Sequence, residues 1–563
     1  MVSSLFLGMS AYTIQSHHSF YLFTTMSPAP VESVEALVVG AGFGGIYQLY
    51  SLQKLGLNVR AIERAEGVGG VWHWNNYPGA MSDTESFLYR YSWDKEELQA
   101  YPWPNNYLTR DEIVNYLNHM VDKHRLRDKI QLSTEMLSAT WDESKRKWHL
   151  RTSRGVIIAK YLFTAVGIQS TLNVPAFPGL ESFQGPIMHT AAWTHSVDVS
   201  GKRVGIIGCG SSGIQVIDAI ASKVVELHCF IRHAQFSVPL RLQPVTAAQR
   251  AEINAHYDDI WAAQLQSKTA FGFEEPTTKA MSVAPELRES VFESLWRQGN
   301  GFRFMYGGFG DVCSDAEANE EACKFLRAKI RSIVKDASKA DVLTPGDLFA
   351  RRPPCDRGFY EKFNQDNVFA VDLLKTPITA IERNGIRTSD GKLHEIDILV
   401  LATGFKSADG SYTTVKGGIR GRGGILLSDH WEKHGIRTYA SMFLSSFPNL
   451  FMVTGPQGPF SNAPPLIEAQ VDFLTGMLSD LRGSNGDDSV IECTEDAEED
   501  WVGACEQLAA SETLFDRVDS WITGKNIPGA RPSVKFYYGG LKAFRDFLDA
   551  IRSANYRGTS VAY

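Results

Sequence analysis

Apolar runs that stop at glycine clusters punctuate this chain. Ala36-Leu37-Val38-Val39 leads into Gly40-Ala41-Gly42-Phe43-Gly44-Gly45, and helix-patterned residues follow over 46–55. A short unbroken apolar run, a glycine turn and then a helical pattern predict a strand, a tight turn and a helix. The next strand, 58–62, ends at Glu63. The same order returns at 203–207, which runs into Gly208-Cys209-Gly210-Ser211-Ser212-Gly213 and a helix over 214–220. Its following strand, 225–231, ends at Arg232. The two units share one internal glycine spacing, so both read as dinucleotide-type βαβ openings.

Later apolar runs complete the outline. Residues 161–167 and 397–404 each form an apolar strand that ends at a glycine, one for each half. Between 243 and 340 the composition turns charged and helical, as in Asn319-Glu320-Glu321-Ala322-Cys323-Lys324. We read this stretch as a helical insertion. The strand 450–454 opens into the glycine- and proline-rich loop 455–463. The expected fold class is therefore α/β, with two Rossmann-like dinucleotide-binding domains and a helical insertion in the second. The first domain is expected to be discontinuous, 34–170 with 390–563. The second is 171–242 with 341–389, interrupted by the insertion 243–340.

Composition narrows the function classes. At 563 residues, with 44% hydrophobic and 21% charged residues, the chain exceeds a single core and is neither disordered nor fibrous. A net charge of -8 argues against a nucleic-acid partner. The seven cysteines form no CxxC pair, which signals neither a redox disulfide nor a metal site and suits reduced thiols in the cytoplasm. The first 26 residues lack Lys and Arg, and Gln15-Ser16-His17-His18-Ser19 interrupts their apolar character. They fit neither a signal peptide nor a membrane span. Residues 1–33 are expected to be a disordered extension, with loose membrane contact as the other reading and no stable insertion.

The residues that end the two second strands separate the nucleotides. Glu63 stands where a carboxylate accepts hydrogen bonds from ribose hydroxyls, which fits FAD or NAD. Arg232 is a cation at the equivalent point and favours the 2′-phosphate of NADPH. FAD and NADPH held together pass hydride from nicotinamide to flavin. A disulfide acceptor would need a CxxC, whereas molecular oxygen needs no further group. A monooxygenase is the leading reading.

Between the two units lies Phe183-Gln184-Gly185-Pro186-Ile187-Met188-His189-Thr190-Ala191-Ala192-Trp193-Thr194. It resembles the FxGxxxHTxxW(P/D) fingerprint of type I Baeyer–Villiger monooxygenases at Phe183, Gly185, His189, Thr190 and Trp193, and departs from it at Thr194. Residues 69–83, GGVWHWNNYPGAMSD, look like the family's GGTWYWNRYPGxxxD. Ala350-Arg351-Arg352-Pro353 is similar to its (K/R)R segment, and 519–529 resembles its DSWxxGxNIPG. The likeness covers about 34–550. The Arg-Arg-Pro-Pro-Cys version looks most like cyclopentadecanone-type and fungal members, hence a weak lean toward secondary metabolism.

The resemblance implies roles for particular residues. Gly40, Gly42, Gly44 and Gly45 would approach the FAD pyrophosphate and Glu63 its ribose. Val71, Trp72, His73, Trp74, Asp83, Tyr89, Met136 and Ala463 would line the flavin site. NADPH would be held by Gly208, Cys209, Gly210, Ser211, Ser212, Gly213, Ile214, Arg232, His233 and Arg351, with Met81, Ser82 and Trp521 in reach. Arg352 corresponds to the active-site arginine, and Asp83 to the carboxylate that positions it. His189 would couple domain movements, or be a hydrogen-bonded structural histidine.

The implied reaction takes a ketone, NADPH and O2 to an ester or lactone, through a C4a peroxide of the flavin and a tetrahedral Criegee-type adduct. A permanently charged guanidinium suits it, because Arg352 stabilises an anion without surrendering a proton. A flavin-dependent N- or S-oxygenase is the alternative, with less need of that arginine. A non-catalytic FAD/NADPH-binding protein is the third reading. The sequence leaves the ketone and the oligomeric state open.

Overall fold

A computed structural model of the chain describes residues 31–485, 489–529 and 531–562. The first βαβ opening is built from the strand Val31–Val39, the helix Phe43–Lys54 and the strand Val59–Ile62. Val31–Val39 lies between Val59–Ile62 and Gly155–Thr164, parallel to both, with Val38 opposite Ala61 and Phe163. Leu450–Met452 extends the sheet beyond Gly155–Thr164, also in parallel. Two antiparallel strands, Met136–Asp142 and Lys147–Thr152, continue it on the other half of that long strand. Central strands covered on both faces read as unbroken apolar runs, which is why 36–39 is legible without alternation.

The second opening forms a separate five-stranded sheet, all parallel. Arg203–Ile207 lies between Glu226–Ile231 and Ile398–Leu401, and the edges are Val368–Asp372 and Ile187–His189. Ile398–Leu401 was expected in the first domain, whose second stretch was to begin at 390. Its hydrogen bonds place it here instead, with Ile206 opposite Val400. Residues 1–30 of the expected extension lie outside the described residues, while Val31, Glu32 and Ser33 are not extension but the start of the first strand. Of the described helices, none is long and apolar enough to cross a membrane.

The stretch 243–340 is helical, and its helices divide between the two units. Tyr257 and Trp261 pack with Leu98 and Phe87 on the first. Phe292, Leu295, Trp296, Phe304 and Leu326 share a core with Ile206, Ile214 and Val216 of the second. Two linkers cross between the units and pair with each other as a short antiparallel ladder. Asn173 N donates to Gly404 O at 2.9 Å, Lys406 N to Thr171 O at 2.9 Å, and Asn173 Nδ2 to Thr403 O at 3.1 Å. One paired strap therefore joins the two units.

Candidate active site

Both glycine turns are shaped by steric necessity. Gly40 and Gly208 have φ of +110° and +104°, and a Cβ on either would sit 2.3 and 2.5 Å from the carbonyl oxygens of Ala165 and Ala402. Gly45 and Gly213 press against the carbonyls of Gly40 and Gly208, where a Cβ would come within 1.8 and 2.4 Å. This closeness lets each helix start directly at the turn, at Phe43 and at Ser211, with no side chain capping its first N–H groups. Those free donors and the helix dipole suit a pyrophosphate. Gly210 differs from the others, since a Cβ there meets nothing within 4 Å.

The turns open onto one cavity of about 850 Å³ lined by both units. On the first side, buried Glu63 accepts N–H bonds from Ala41 and Ala65, both at 2.8 Å, one on each carboxylate oxygen. Each oxygen keeps a lone pair for a ribose hydroxyl. Trp72 donates its indole N–H to Tyr89 at 2.9 Å, and Arg110 pins the turn 71–74 by donating to the carbonyls of Trp72 and His73. Val71, Trp74, Met81, Ser82, Met136 and Ala463 also reach the cavity.

On the second side, exposed Arg232 makes no ion pair among the described residues. His233 lies 3.9 Å from Asp347 and 3.8 Å from Asp519, and burial with the neighbouring Arg351 lowers its pKa. Arg351 pairs with Asp347 and donates through Nε to Asp519 O at 2.8 Å. Trp521 lines the same wall and meets Phe536 edge-on at 5.8 Å.

Arg352 joins the two sides. Its Nη2 donates to Asp83 Oδ2 at 2.5 Å and its Nη1 to Ser211 Oγ at 2.8 Å. The guanidinium lies 5.1 Å from the centre of the Phe302 ring, which stacks on Phe271 at 4.1 Å. Burial works against the charge, but Asp83, with smaller help from Cys355 and Tyr77, holds the guanidinium above its ordinary pKa. Tyr77 donates to Gln215 at 2.8 Å, and burial pushes its phenol up to about 12. Cys355 next door is a packed thiol that accepts from Gly301 N.

Some expected residues do not reach the cavity. Ile214 is fully buried in the core of the second unit, and Gly45 and Gly213 serve the helix–strand approach instead of the cavity wall. His73 turns back over Gly67, where burial and Arg110 lower its pKa. The fingerprint residues also lie off the cavity. Phe183 and Trp193 are core, and a Cβ on Gly185 would strike Asp397 O at 2.1 Å. His189 is buried against Phe405 of the linker and accepts from Ala191 N through Nδ1. Sequence reasoning missed Gln215, Arg110, Phe271 and Phe302. No local signal marks these, because their meaning comes from what the fold brings beside them.

The cavity suits the two nucleotides on several independent counts. The open space over Gly210, the two uncapped helix starts, the acid at Glu63 and the free cation at Arg232 match two pyrophosphates, a ribose and a 2′-phosphate. Buried polar atoms of Ser407, Ser461, Asn462 and Ser520 on the wall have no partner among the described residues, which a bound ligand would satisfy.

Known proteins agree with this geometry. A family model described as flavin-binding monooxygenase-like matches residues 34–234. The chain is 46% identical to the phenazine N-monooxygenase PhzNO1 of Lysobacter antibioticus, over 93% of this chain and 96% of that protein. It is 45% identical to a Baeyer–Villiger monooxygenase of Pseudooceanicola batsensis, over 93% and 95%. Against a cyclohexanone 1,2-monooxygenase of an Acinetobacter species the identity is 41%, over 94% and 96%. The structure of a Rhodococcus cyclohexanone monooxygenase bound to NADP+ superposes with a TM-score of 0.92 at 46% identity, covering 95% of this chain and 99% of that one. The chain therefore belongs to the type I Baeyer–Villiger monooxygenases, a branch of the flavin-binding monooxygenases.

Proposed function

We propose that this enzyme uses FAD, NADPH and O2 to convert an apolar, cyclic ketone into the corresponding ester or lactone. When bound, NADPH supplies a hydride and the flavin activates oxygen. The observation that carries the reading is the placement of Arg352, a permanent cation held between Asp83 of the first side and Ser211 at the second glycine turn, in a cavity partly walled by aromatic rings. Its remaining N–H groups can meet negative charge as it develops on the ketone oxygen. Arginine does so without donating its proton away. Phe271, Phe302, Phe460 and Trp521 offer a carbon skeleton only apolar contact and exclude water.

A second reading, oxygenation of an aromatic ring nitrogen, is favoured by the 46% identity to a phenazine N-monooxygenase. One experiment separates the two. NADPH oxidation is followed with a panel of cyclic ketones and of phenazine-type heterocycles, and products are weighed for one added oxygen. Ketone-stimulated turnover with an ester or lactone product is expected. Arg352→Ala should lower that turnover by about 10²-fold or more, as loss of an oxyanion donor does. Turnover with the heterocycles alone would favour the second reading.

A further inference from the structure

Lys535 is a buried cation outside the nucleotide and substrate walls, and its side chain is only 7% exposed. Its Nζ donates to Ser407 O at 2.8 Å and pairs with Asp409 Oδ1 at 2.7 Å. Both partners directly follow the paired residues 403–406, on the strap that joins the two units. Asp409 immediately precedes the short helix Gly410–Thr413, and Ala408 has a φ of +64°. Ser411 of that helix donates to Gly167 O at 2.6 Å, on the other linker.

The backbone of Lys535 belongs to a different device. The segment that includes Asp519, Trp521, Asn526, Pro528 and Phe536 covers the cavity from the NADPH side. Arg351 grips its start at Asp519. Lys535 grips its end, where Gln457 N donates to Lys535 O at 2.7 Å and Phe536–Tyr537 pairs with Gly458–Pro459. Gly524, in the middle of the segment, rests against the Lys535 side chain, since a Cβ there would lie 3.1 Å from Cε. One side chain thus touches the middle of the cover and the strap. A buried ammonium is costly without a carboxylate, and here the strap supplies that carboxylate while the cover packs on the same side chain.

We propose that Lys535 is a positioning residue whose ion pair with Asp409 locks the cavity cover to the interdomain strap, so that the cover closes only in one arrangement of the two units. Its side chain is not itself part of the cavity wall and reaches it only through the strap at Ser407 and the cover at Gly524. Covers of this kind exclude water while oxygen is being transferred. Opening the lock should therefore spare the oxidation of NADPH and spoil the transfer of oxygen to the substrate.

The inference rests on the monooxygenase reading, and the test keeps the two apart. In the FAD-loaded enzyme, hydrogen peroxide released per NADPH oxidised is measured with saturating ketone for wild type, Lys535→Met, Asp409→Asn and the double variant. Wild type that shows no ketone-stimulated NADPH oxidation overturns the functional reading. If wild type couples well, the peroxide fraction should rise about threefold or more in each single variant, with ketone-free NADPH oxidation changed less than about twofold. The double variant should add little to either single one, because both remove the same pair. If Lys535→Met fails to fold, Asp409→Asn carries the test. Its tryptic cleavage after half-buried Lys525, in the middle of the cover, should also quicken in the presence of NADP+. Coupling and cleavage equal to wild type in a folded variant overturn the proposal.

Discussion

Ser211 Oγ accepts a hydrogen bond from Arg352 Nη1 at 2.8 Å, so the residue that opens the NADPH-side helix also holds the guanidinium paired with Asp83. A hydroxyl that accepts from arginine still has its own proton to donate, and a phosphate oxygen at the helix start is the natural acceptor. The hydroxyl would therefore tie occupancy of the nucleotide site to the aim of Arg352. Ser211→Ala should lower kcat/KM about tenfold for NADPH and by a comparable factor for the ketone, the size of a lost charge-assisted hydrogen bond. Ser211→Thr should recover most of both. Steady-state kinetics with each substrate varied in turn checks this, and a loss confined to NADPH would break the link.

Arg232 is exposed at the end of Glu226–Ile231, beside the second glycine turn, and is committed to no carboxylate among the described residues. An uncommitted cation costs little desolvation to recruit and can face a 2′-phosphate directly. Arg232→Ala should raise KM for NADPH about tenfold or more while leaving KM for NADH nearly unchanged, since NADH lacks that group. Parallel titrations with both coenzymes decide it, and equal losses would remove the 2′-phosphate assignment.

Two glycines of one motif should behave oppositely. Gly208 needs a positive φ and has Ala402 O 2.5 Å from its would-be Cβ, so alanine there conflicts with the fold itself. Gly208→Ala should destabilise by about 1–3 kcal/mol or more and lower Tm before any ligand is added. A Cβ on Gly210 meets no protein atom, so Gly210→Ala should melt like wild type. It should nevertheless bind NADPH weakly, because the methyl occupies the space through which the pyrophosphate approaches. Melting curves with and without NADP+ separate the two effects.

Much of this architecture is legible in the linear chain because its decisive constraints are local. A glycine that must avoid the carbonyl across the turn has to be glycine, so the two turns and the strands feeding them announce themselves. Glu63 and Arg232 are legible for the same reason, each lying a fixed distance beyond its turn. Residues whose meaning comes from long-range closure are not. Phe271 and Phe302 belong to the helical stretch 243–340, and only the folded chain brings Phe302 under Arg352. Ile398–Leu401 reads as a buried strand, but the sequence does not say which sheet it returns to. Ile214 and His73 mislead in the opposite way, since a place in a motif fixes the backbone and leaves the side chain to the core.

His394 offers a test of the scaffold beneath the NADPH side. It lies on the strand Leu393–Glu395 of a small antiparallel sheet, 5.5 Å from His228 and 5.2 Å from Phe230 of the parallel sheet. Its Nδ1 is buried without a partner among the described residues, and Nε2 meets Thr388 Oγ1 at 3.3 Å. Burial, then Lys392 and His228, lower its pKa from 6.5 to about 4. The folded chain thus resists a proton that the unfolded chain accepts. The associated stability is present in full above pH 6.5 and is lost as the pH falls from there through about 4. Replacing the imidazole with an uncharged side chain removes this dependence, so His394→Gln should lose less denaturant resistance than wild type between about pH 7 and pH 4.5. The comparison of slopes matters more than either midpoint, because carboxylates titrate in both proteins and cancel in the difference. Parallel slopes for the two proteins would mean that the ring is already free to take its proton in the folded state, and that the contact between the two sheets does not depend on its charge.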